Sequence, residues 1–222
     1  MAKRGVIIVA GGSGKRMQSS MPKQFLMLGS LPVVAHSINL FAEALPGAEI
    51  VVVLPEEHIA LWKNMAARFD IAVHRCVAGG AERFHSVKRG LEALSPEVEY
   101  VAVHDGVRAL VSRRLIIRTM LACEEHGAAI PVVDVVDSYR RVVGDDSVIV
   151  PRSELRIVQT PQTFSAELLR RGYEQTFTPA FTDDASVVEA LGHQISLVEG
   201  ERSNLKLTTP EDMAWAEWWL AR

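Results

Sequence analysis

The hydrophobic residues of this 222-residue chain follow two alternating patterns. Short, nearly continuous apolar and β-branched runs predict strands at 5–10, 49–54, 71–77, 100–103 and 128–133. Between them lie amphipathic segments whose apolar residues share one helical face, namely Phe84, Val87, Leu91 and Leu94 in one segment and Leu115, Ile116, Thr119, Met120 and Cys123 in another. Continuous apolar strands are typical of parallel sheets that are covered on both faces. The pattern therefore predicts an α/β fold with a doubly wound, mostly parallel, Rossmann-like sheet.

Residues 137–150 interrupt this alternation and predict a β-hairpin. Two runs of β-forming residues flank the turn sequence Gly144-Asp145-Asp146. An isolated hairpin is marginally stable in water, so it must pack on something. It either lies on the sheet of its own domain or reaches a partner subunit. Because no repeat or linker is evident, we expect a single domain over 1–222, with 137–152 as a projecting arm.

Composition and charge narrow the possible functions. The net charge of −3 argues against a nucleic-acid-binding protein that works by bulk electrostatics. The two cysteines are far apart, which predicts reduced thiols, no structural zinc and a cytoplasmic location. The sequence shows neither a signal peptide nor an apolar run long enough to cross a membrane, so we expect no export and no membrane partner.

The first predicted strand runs directly into the glycine-rich sequence Ala10-Gly11-Gly12-Ser13-Gly14, and the cations Arg16 and Lys23 follow. Glycine backbone amides and nearby cations suit a nucleoside triphosphate. A Walker A loop is excluded, since Val9 stands at its first glycine position and Arg16 stands where Ser or Thr is required. A βα turn whose glycines only permit close packing is the alternative.

Further groups of polar residues follow other predicted strands. Gly79-Gly80-Ala81-Glu82-Arg83 with Ser86 is again a glycine turn before a helix, and a simple βα connection is its alternative. Asp105 and Arg108 directly follow a strand; an unpaired carboxylate there would suit Mg²⁺, whereas helix capping or ion pairing is the alternative. Later groups are Asp137-Ser138, Arg152 with Gln159-Thr160-Pro161-Gln162, and Thr182-Asp183-Asp184 with Asn204-Leu205-Lys206. Each of these alone is compatible with solvated surface.

Together the motifs resemble one family. In chain order they are A-G-G-x-G-x-R-M with P-K, G-G-x-E-R-x-x-S-V, V-H-D-x-x-R, R-x-x-L-x-x-x-Q-T-P-Q-x-F, T-D-[DE]-A and V-E-G-x-x-x-N-x-K. The ordered set is similar to that of the 2-C-methyl-D-erythritol 4-phosphate cytidylyltransferases and extends from residue 10 to residue 206. The resemblance implies a nucleotidyltransferase-type fold. It also implies an enzyme that joins CTP to a sugar-alcohol phosphate, releases pyrophosphate and serves non-mevalonate isoprenoid biosynthesis.

The resemblance also implies roles for individual residues. CTP would be held by Ala10, Gly11, Gly12, Ser13, Gly14, Gly79, Gly80, Ala81, Arg83, Ser86 and Asp105. Asp105 would place Mg²⁺ or another divalent cation, and Arg16, Lys23 and Lys206 would be catalytic by stabilising charge on the attacked phosphate. The acceptor would contact Asp105, Arg108, Ser138, Arg152, Thr160, Thr182 and Asp183. A homodimer with exchanged arms is implied as well. Ribitol-5-phosphate cytidylyltransferases share most of these motifs, so that acceptor remains an alternative, as does a non-catalytic nucleotide-binding subunit.

Overall fold

The fold is built around one twisted sheet. The structure, a computed structural model, describes residues 2–12 and 21–222. The strands of these residues are β1 (Arg4–Val9), β2 (Met27–Leu28), β3 (Leu31–Pro32), β4 (Glu49–Leu54), β5 (Arg75–Ala78), β6 (Tyr100–Asp105), β7 (Ala128–Asp134), β8 (Tyr139–Val143), β9 (Asp146–Val150), β10 (Arg156–Val158), β11 (Gln162–Ser165) and β12 (Ser196–Glu199). Eight of them form the central sheet in the order β10-β7-β11-β6-β1-β4-β5, with β12 paired to β7.

Helices connect most of these strands. They are α1 (Val33–Ala44), α2 (Glu56–Ala66), α3 (Arg83–Ala93), α4 (Arg113–His126), α5 (Ala166–Glu174), α6 (Asp184–Glu189) and α7 (Pro210–Leu220). The N-terminus of α7 carries a capping box, in which Thr209 and Asp212 each bond the backbone of the other. Helix α4 is followed by its C-cap residue Gly127, which adopts the left-handed conformation that favours glycine at this position.

Both faces of the sheet are buried, which explains the continuous apolar strands. Ile7 packs on one face with residues of α3 and α5, whereas Val6 and Ile8 pack on the other face with residues of α1, α2 and α4. The two amphipathic faces predicted from the sequence lie in these two clusters, apart from Thr119 and Cys123, which are buried but belong to neither cluster. The buried hydroxyl of Thr119 donates to Leu115 O. The prediction of a doubly wound, mostly parallel sheet is confirmed.

Two strands run against the others. Strand β11 pairs antiparallel with β6 and with β7, and β10 pairs antiparallel with the end of β7. The parallel pairs are β1 with β4 and β6, β4 with β5, and β7 with β12. Because β11 is reversed, the loop that enters it, rather than the loop that leaves it, lies at the carboxyl edge of the parallel strands.

The predicted hairpin is present and projects as the arm. Strands β8 and β9 pair only with each other among the described residues, so the alternative that the hairpin lies on its own domain's sheet is wrong. Its apolar side chains are largely exposed, with Val142 at 77% and Ile149 at 69%. No helix within 2–12 and 21–222 is long and apolar enough to cross a membrane.

Strand β5 is shorter than the sequence predicts. Pairing with β4 begins only at Arg75, although the apolar run begins at Ile71. The preceding backbone bonds to side chains instead, since Ala72 N donates to Asn39 Oδ1 and Ala72 O contacts His74 Nδ1. These side-chain bonds replace ladder bonds, and no sequence periodicity signals them.

Candidate active site

A cavity of about 570 Å³ opens at the carboxyl edge of β1, β4 and β6. It lies where open α/β sheets place their ligands. Among the residues predicted from the sequence, its lining includes Ala10, Gly11, Gly12, Lys23, Gly79, Gly80, Ala81, Arg83, Ser86, Asp105 and Lys206. The structure thus brings together residues from distant parts of the chain. Ser13, Gly14 and Arg16 lie outside the described residues.

The position of Lys23 is set by its neighbour Phe25. Both belong to a short 3-10 helix, and the Phe25 ring is fully buried. That ring stacks on Trp62 of α2, with ring centroids 5.6 Å apart and planes inclined by 10°. Lys23 Nζ donates to Leu207 O at 3.2 Å, in the segment that carries Lys206 toward the cavity. Aromatic packing therefore fixes the start of the Lys23 side chain at the cavity wall.

The second glycine loop is shaped by Ser86. Its hydroxyl accepts a hydrogen bond from Gly80 N and donates to Glu82 O, both at 3.1 Å. A Cβ on Gly79 would lie 2.8 Å from Ser86 Oγ, and one on Gly80 would lie 2.4 Å from the Cβ of His85. The loop thus approaches α3 too closely for larger residues, and its glycines hold the backbone against the cavity.

Asp105, at the end of β6, is surrounded by three cations. Lys206 Nζ lies 3.0 Å from Oδ2, Arg108 Nε lies 3.5 Å from Oδ2, and Arg83 Nε lies 3.7 Å from Oδ1. Burial alone would raise the pKa of Asp105, but these cations outweigh burial and hold that pKa well below its ordinary value. The prediction of an unpaired carboxylate is therefore wrong, because the alternative of ion pairing is what the fold provides.

Arg83 is held by a residue to which the sequence analysis gave no role. Its two Nη atoms donate to the two carboxylate oxygens of Asp184, at 2.9 and 2.7 Å. Asp184 is fully buried, and Tyr173 donates its hydroxyl to Asp184 Oδ1 at 2.6 Å. Burial alone would lower the pKa of Arg83, but Asp184 and Asp105 raise it above its ordinary value. Asp184 is the second aspartate of the motif T-D-D-A, but the sequence carries no signal for its contact with Arg83.

Thr160 lies behind Asp105 and is buried. Its Oγ1 accepts a hydrogen bond from Asp105 N at 3.1 Å and lies 3.0 Å from His104 Nδ1. His104 is fully buried, and burial lowers its pKa to about 3, so it is neutral. The neutral ring leaves Nδ1 to accept the Thr160 hydroxyl proton while Nε2 faces Arg108 O at 3.3 Å. Thr160 therefore holds the Asp105 backbone in place.

A pair of buried amides connects this region to Lys206. Gln159 Nε2 donates to Glu201 O at 2.8 Å, and Asn204 Nδ2 donates to Thr160 O at 2.8 Å. Arg108 Nη1 in turn donates to Asn204 O at 2.7 Å. Sequence reasoning gave no role to Gln159 or Asn204, although both stand in the quoted motifs. These contacts fix the segment that precedes Lys206.

Asp183 and Thr182 lie at the start of α6. Asp183 caps this helix by accepting from Ser186 N at 2.9 Å, and it accepts from Gln162 Nε2 at 2.8 Å. Gln162 Oε1 also accepts from Ala185 N at 2.9 Å, so β11 holds the N-terminal end of α6 through both atoms of one side-chain amide. Thr182 is exposed. Neither Thr182 nor Asp183 is among the residues that line the cavity.

The predicted acceptor-binding residues on the arm lie apart from this cavity. Ser138 and Arg152 are exposed, and neither belongs to the cavity lining. Arg152 Nη1 donates to Val136 O at 2.7 Å, a contact at the base of the arm. The structure of one chain therefore does not bring these two residues together with Lys23 and Asp105.

Asp105 is the carboxylate predicted to hold a divalent cation at this cavity. Within the described part of the chain, no group of three or more His, Cys, Asp or Glu side chains could hold a metal ion. Among residues 2–12 and 21–222, Asp105 Oδ1 nevertheless accepts no hydrogen bond, and Arg83 approaches this oxygen no closer than 3.7 Å. A single carboxylate oxygen fits Mg²⁺ only where substrate phosphates supply further ligands, as is usual for this ion.

Comparison with known proteins identifies the family. The sequence model described as IspD: 2-C-methyl-D-erythritol 4-phosphate cytidylyltransferase matches residues 5–222. The chain is similar to the 2-C-methyl-D-erythritol 4-phosphate cytidylyltransferase of Bacteroides thetaiotaomicron, with 49% identity over 212 residues that cover 95% of this chain and 96% of the relative. The protein of the same name from Phocaeicola vulgatus is 47% identical over 215 residues, covering 96% and 98%.

Solved structures agree with the sequence comparison. The 2-C-methyl-D-erythritol 4-phosphate cytidylyltransferase of Thermus thermophilus superposes with a TM-score of 0.80 at 34% identity and covers 100% of both chains. The 4-diphosphocytidyl-2C-methyl-D-erythritol synthase of Anaerococcus prevotii gives a TM-score of 0.85 at 29% identity, covering 100% of this chain and 99% of that one. The ordered motifs, the sheet and the cavity lead to the same assignment. This chain belongs to the 2-C-methyl-D-erythritol 4-phosphate cytidylyltransferase family.

Proposed function

We propose that this chain transfers the cytidylyl group of CTP to 2-C-methyl-D-erythritol 4-phosphate and releases pyrophosphate, in the non-mevalonate synthesis of isoprenoid precursors. The observation that carries the proposal is the cavity in which two glycine loops meet Lys23, Asp105 and Lys206. The relatives that match nearly the whole chain carry the name of this activity.

The two glycine loops provide complementary surfaces for CTP. Gly79, Gly80 and Ala81, held by Ser86, present backbone groups that can hydrogen-bond the edge of cytosine. The Ala10–Gly14 loop, whose described residues Ala10, Gly11 and Gly12 reach the cavity, receives the triphosphate. Glycine is suited to both places, because a ligand can approach its backbone closely.

A divalent cation is part of the proposal. Mg²⁺ would be held by Asp105 together with the phosphates of CTP, and it would supply charge neutralisation and orientation of those phosphates. Lys206, whose side chain is 46% exposed, is the cation of the Asp105 group that can turn toward a phosphate. Arg108 is held by Asn204 O and therefore stays with Asp105.

The reaction requires charge compensation more than proton transfer. An oxygen of the acceptor phosphate forms a bond to the α-phosphorus of CTP, and the bond to the bridging oxygen breaks so that pyrophosphate leaves. The acceptor phosphate is already largely ionised at neutral pH, so no general base is needed. Lys23, Lys206 and Arg16 stabilise the charge that develops around the α-phosphate, and the fold supplies positioning.

The acceptor binds on the side of the cavity nearest Arg108, Thr160, Thr182 and Asp183. Ser138 and Arg152 complete the site from the arm of a partner subunit, since neither lines the cavity of its own chain. The exposed apolar arm supports a homodimer with exchanged arms, because such residues gain stability when an isologous interface covers them.

The proposal is tested by measuring pyrophosphate release with CTP, Mg²⁺ and each of two acceptors. We expect turnover with 2-C-methyl-D-erythritol 4-phosphate and a much lower kcat/KM with ribitol 5-phosphate. The reverse preference would reassign the acceptor. Binding of CTP without pyrophosphate from either acceptor would instead indicate a non-catalytic nucleotide-binding subunit. Replacing CTP with UTP provides the control for the base.

A further inference from the structure

The further inference concerns Asp184, which lies outside the cavity lining but contacts Arg83 inside it. The paired bonds from both Nη atoms of Arg83 commit the whole fork of the guanidinium to Asp184. The closest contact between Arg83 and Asp105 joins Nε to Oδ1, and its distance of 3.7 Å is too long for a hydrogen bond. Arg83 thus interacts with Asp105 electrostatically but donates no hydrogen bond to it.

Asp184 is itself firmly held. It is the first residue of α6 and fully buried, and its Oδ1 accepts the Tyr173 hydroxyl at 2.6 Å. Gln162 of β11 fixes the same turn of α6 by bonding Asp183 and Ala185 N. The carboxylate that binds Arg83 is therefore anchored to the central sheet and to α5.

The two oxygens of Asp105 have different surroundings as a result. The closest approach of Lys206 and of Arg108 is to Oδ2, whereas the closest approach of Arg83 is from its Nε to Oδ1. If Asp184 did not occupy the fork, Arg83 could turn and form a bidentate pair with Asp105. Such a pair would cover Oδ1 with N–H donors. The guanidinium would then compete directly with a divalent cation for this oxygen.

We propose that Asp184 is a positioning residue that holds the Arg83 fork away from Asp105 and thereby keeps Oδ1 accessible to the divalent cation of a metal–CTP complex. This inference rests on the proposed function in that it uses the same metal–nucleotide site. It assigns to the second aspartate of T-D-D-A a role in metal affinity that acts through Arg83.

The test measures Mn²⁺ binding in the presence of CTP by electron paramagnetic resonance, without any acceptor. Asp184→Asn should weaken Mn²⁺ binding by about 10-fold or more, the size typical of changes to groups that orient a metal ligand. In Asp184→Asn the guanidinium of Arg83 is no longer held. The double variant Arg83→Met with Asp184→Asn removes this guanidinium and should bind Mn²⁺ more tightly than Asp184→Asn alone. Asp184→Glu keeps a partner for the fork and should stay near the parent.

Two outcomes would overturn the inference: unchanged Mn²⁺ affinity in Asp184→Asn, or no recovery on adding Arg83→Met. If Asp184→Asn does not fold, Tyr173→Phe removes only one hydrogen bond to Asp184 and should weaken Mn²⁺ binding slightly in the same direction. An unchanged affinity in that variant would then count against the inference. Because no acceptor is used, a chain that binds metal–CTP but transfers nothing would contradict the proposed function and leave the Mn²⁺ comparison valid.

Discussion

The contribution of Lys23 can be separated from simple binding of CTP. Its Nζ stands at the cavity wall, and charge accumulates on the α-phosphate mainly as the bonds to phosphorus change. Lys23→Ala should therefore lower kcat by about 10²–10³-fold while the Kd for CTP changes much less. Lys63→Ala, an exposed position on α2 outside the cavity lining, is the control and should have parental kinetics. A raised KM with parental kcat would show that Lys23 serves binding alone.

Asp105 is expected to set the metal requirement of the reaction. Asp105→Asn keeps the shape of the side chain but removes the charge that attracts a hard cation. The Mg²⁺ concentration for half-maximal rate should rise, and the melting temperature should fall, because three cations lose their shared counter-ion. Asp70→Asn, at an exposed position outside the cavity lining, is the matched control. A Mg²⁺ titration identical to that of the parent would leave Asp105 with a structural role only.

For individual residues, the sequence is a good guide to which side chains belong to the site. It is a poorer guide to the partners that those side chains contact. Asp105 and Arg83 both stand in recognisable motifs, but nothing in the sequence shows that Asp184 takes the guanidinium fork across 101 positions. The family resemblance similarly predicts that Thr160 contacts substrate, whereas in the structure its hydroxyl accepts a hydrogen bond from Asp105 N. Contacts of this kind depend on how the strands are ordered in the sheet, which local spacing does not encode.

Among the structural elements, the glycine loop before α3 tolerates little change. Gly80→Ala places a Cβ 2.4 Å from the Cβ of His85, so the loop must shift. We expect a loss of stability of about 1–3 kcal/mol, as for other overpacked sites, together with weaker CTP binding. Gly11→Ala is the comparison, since its Cβ would lie 3.9 Å from Pro55 Cδ and meets no clash. Equal melting temperatures for the two variants would contradict this account of the loop.

Elements with strong periodicity are predictable, and elements defined by tertiary contacts are not. Strands β1 and β4 follow their apolar runs closely, and α7 begins directly after Thr209, a residue type that commonly caps helices. Helix α6 has only six residues and depends on Gln162 for its first turn, so periodicity gives it no signal. The predicted start of β5 fails for the same reason, because Asn39 bonds the backbone at Ala72.

The whole molecule is expected to work as a pair of chains. Lys23→Ala and Arg152→Ala should each be nearly inactive alone. If arms are exchanged, a mixed dimer contains one doubly altered site and one intact site. Equal mixing gives half mixed dimers, so about one quarter of the parental activity should return after subunit exchange.

The control for this experiment is a mixture of Lys23→Ala with Lys206→Ala, two residues of one chain's own cavity. Their mixed dimers contain no intact site, so this mixture should remain inactive. If the mixture containing Arg152→Ala also stays inactive after labelled subunits are seen to have exchanged, Arg152 serves its own chain and the arms are not exchanged.

The position of β11 between β6 and β7 has a consequence for how the chain is made. Strand β7 pairs only with β10, β11 and β12 among the described strands, and all three follow it in sequence. During synthesis, β7 thus leaves the ribosome before any of its partners, and β6 keeps an open edge until Gln162–Ser165 emerges. Open apolar edges of this kind promote aggregation. A nascent chain stalled before residue 162 is therefore a natural client for chaperones, whereas one stalled after β12 contains every pairing of the central sheet.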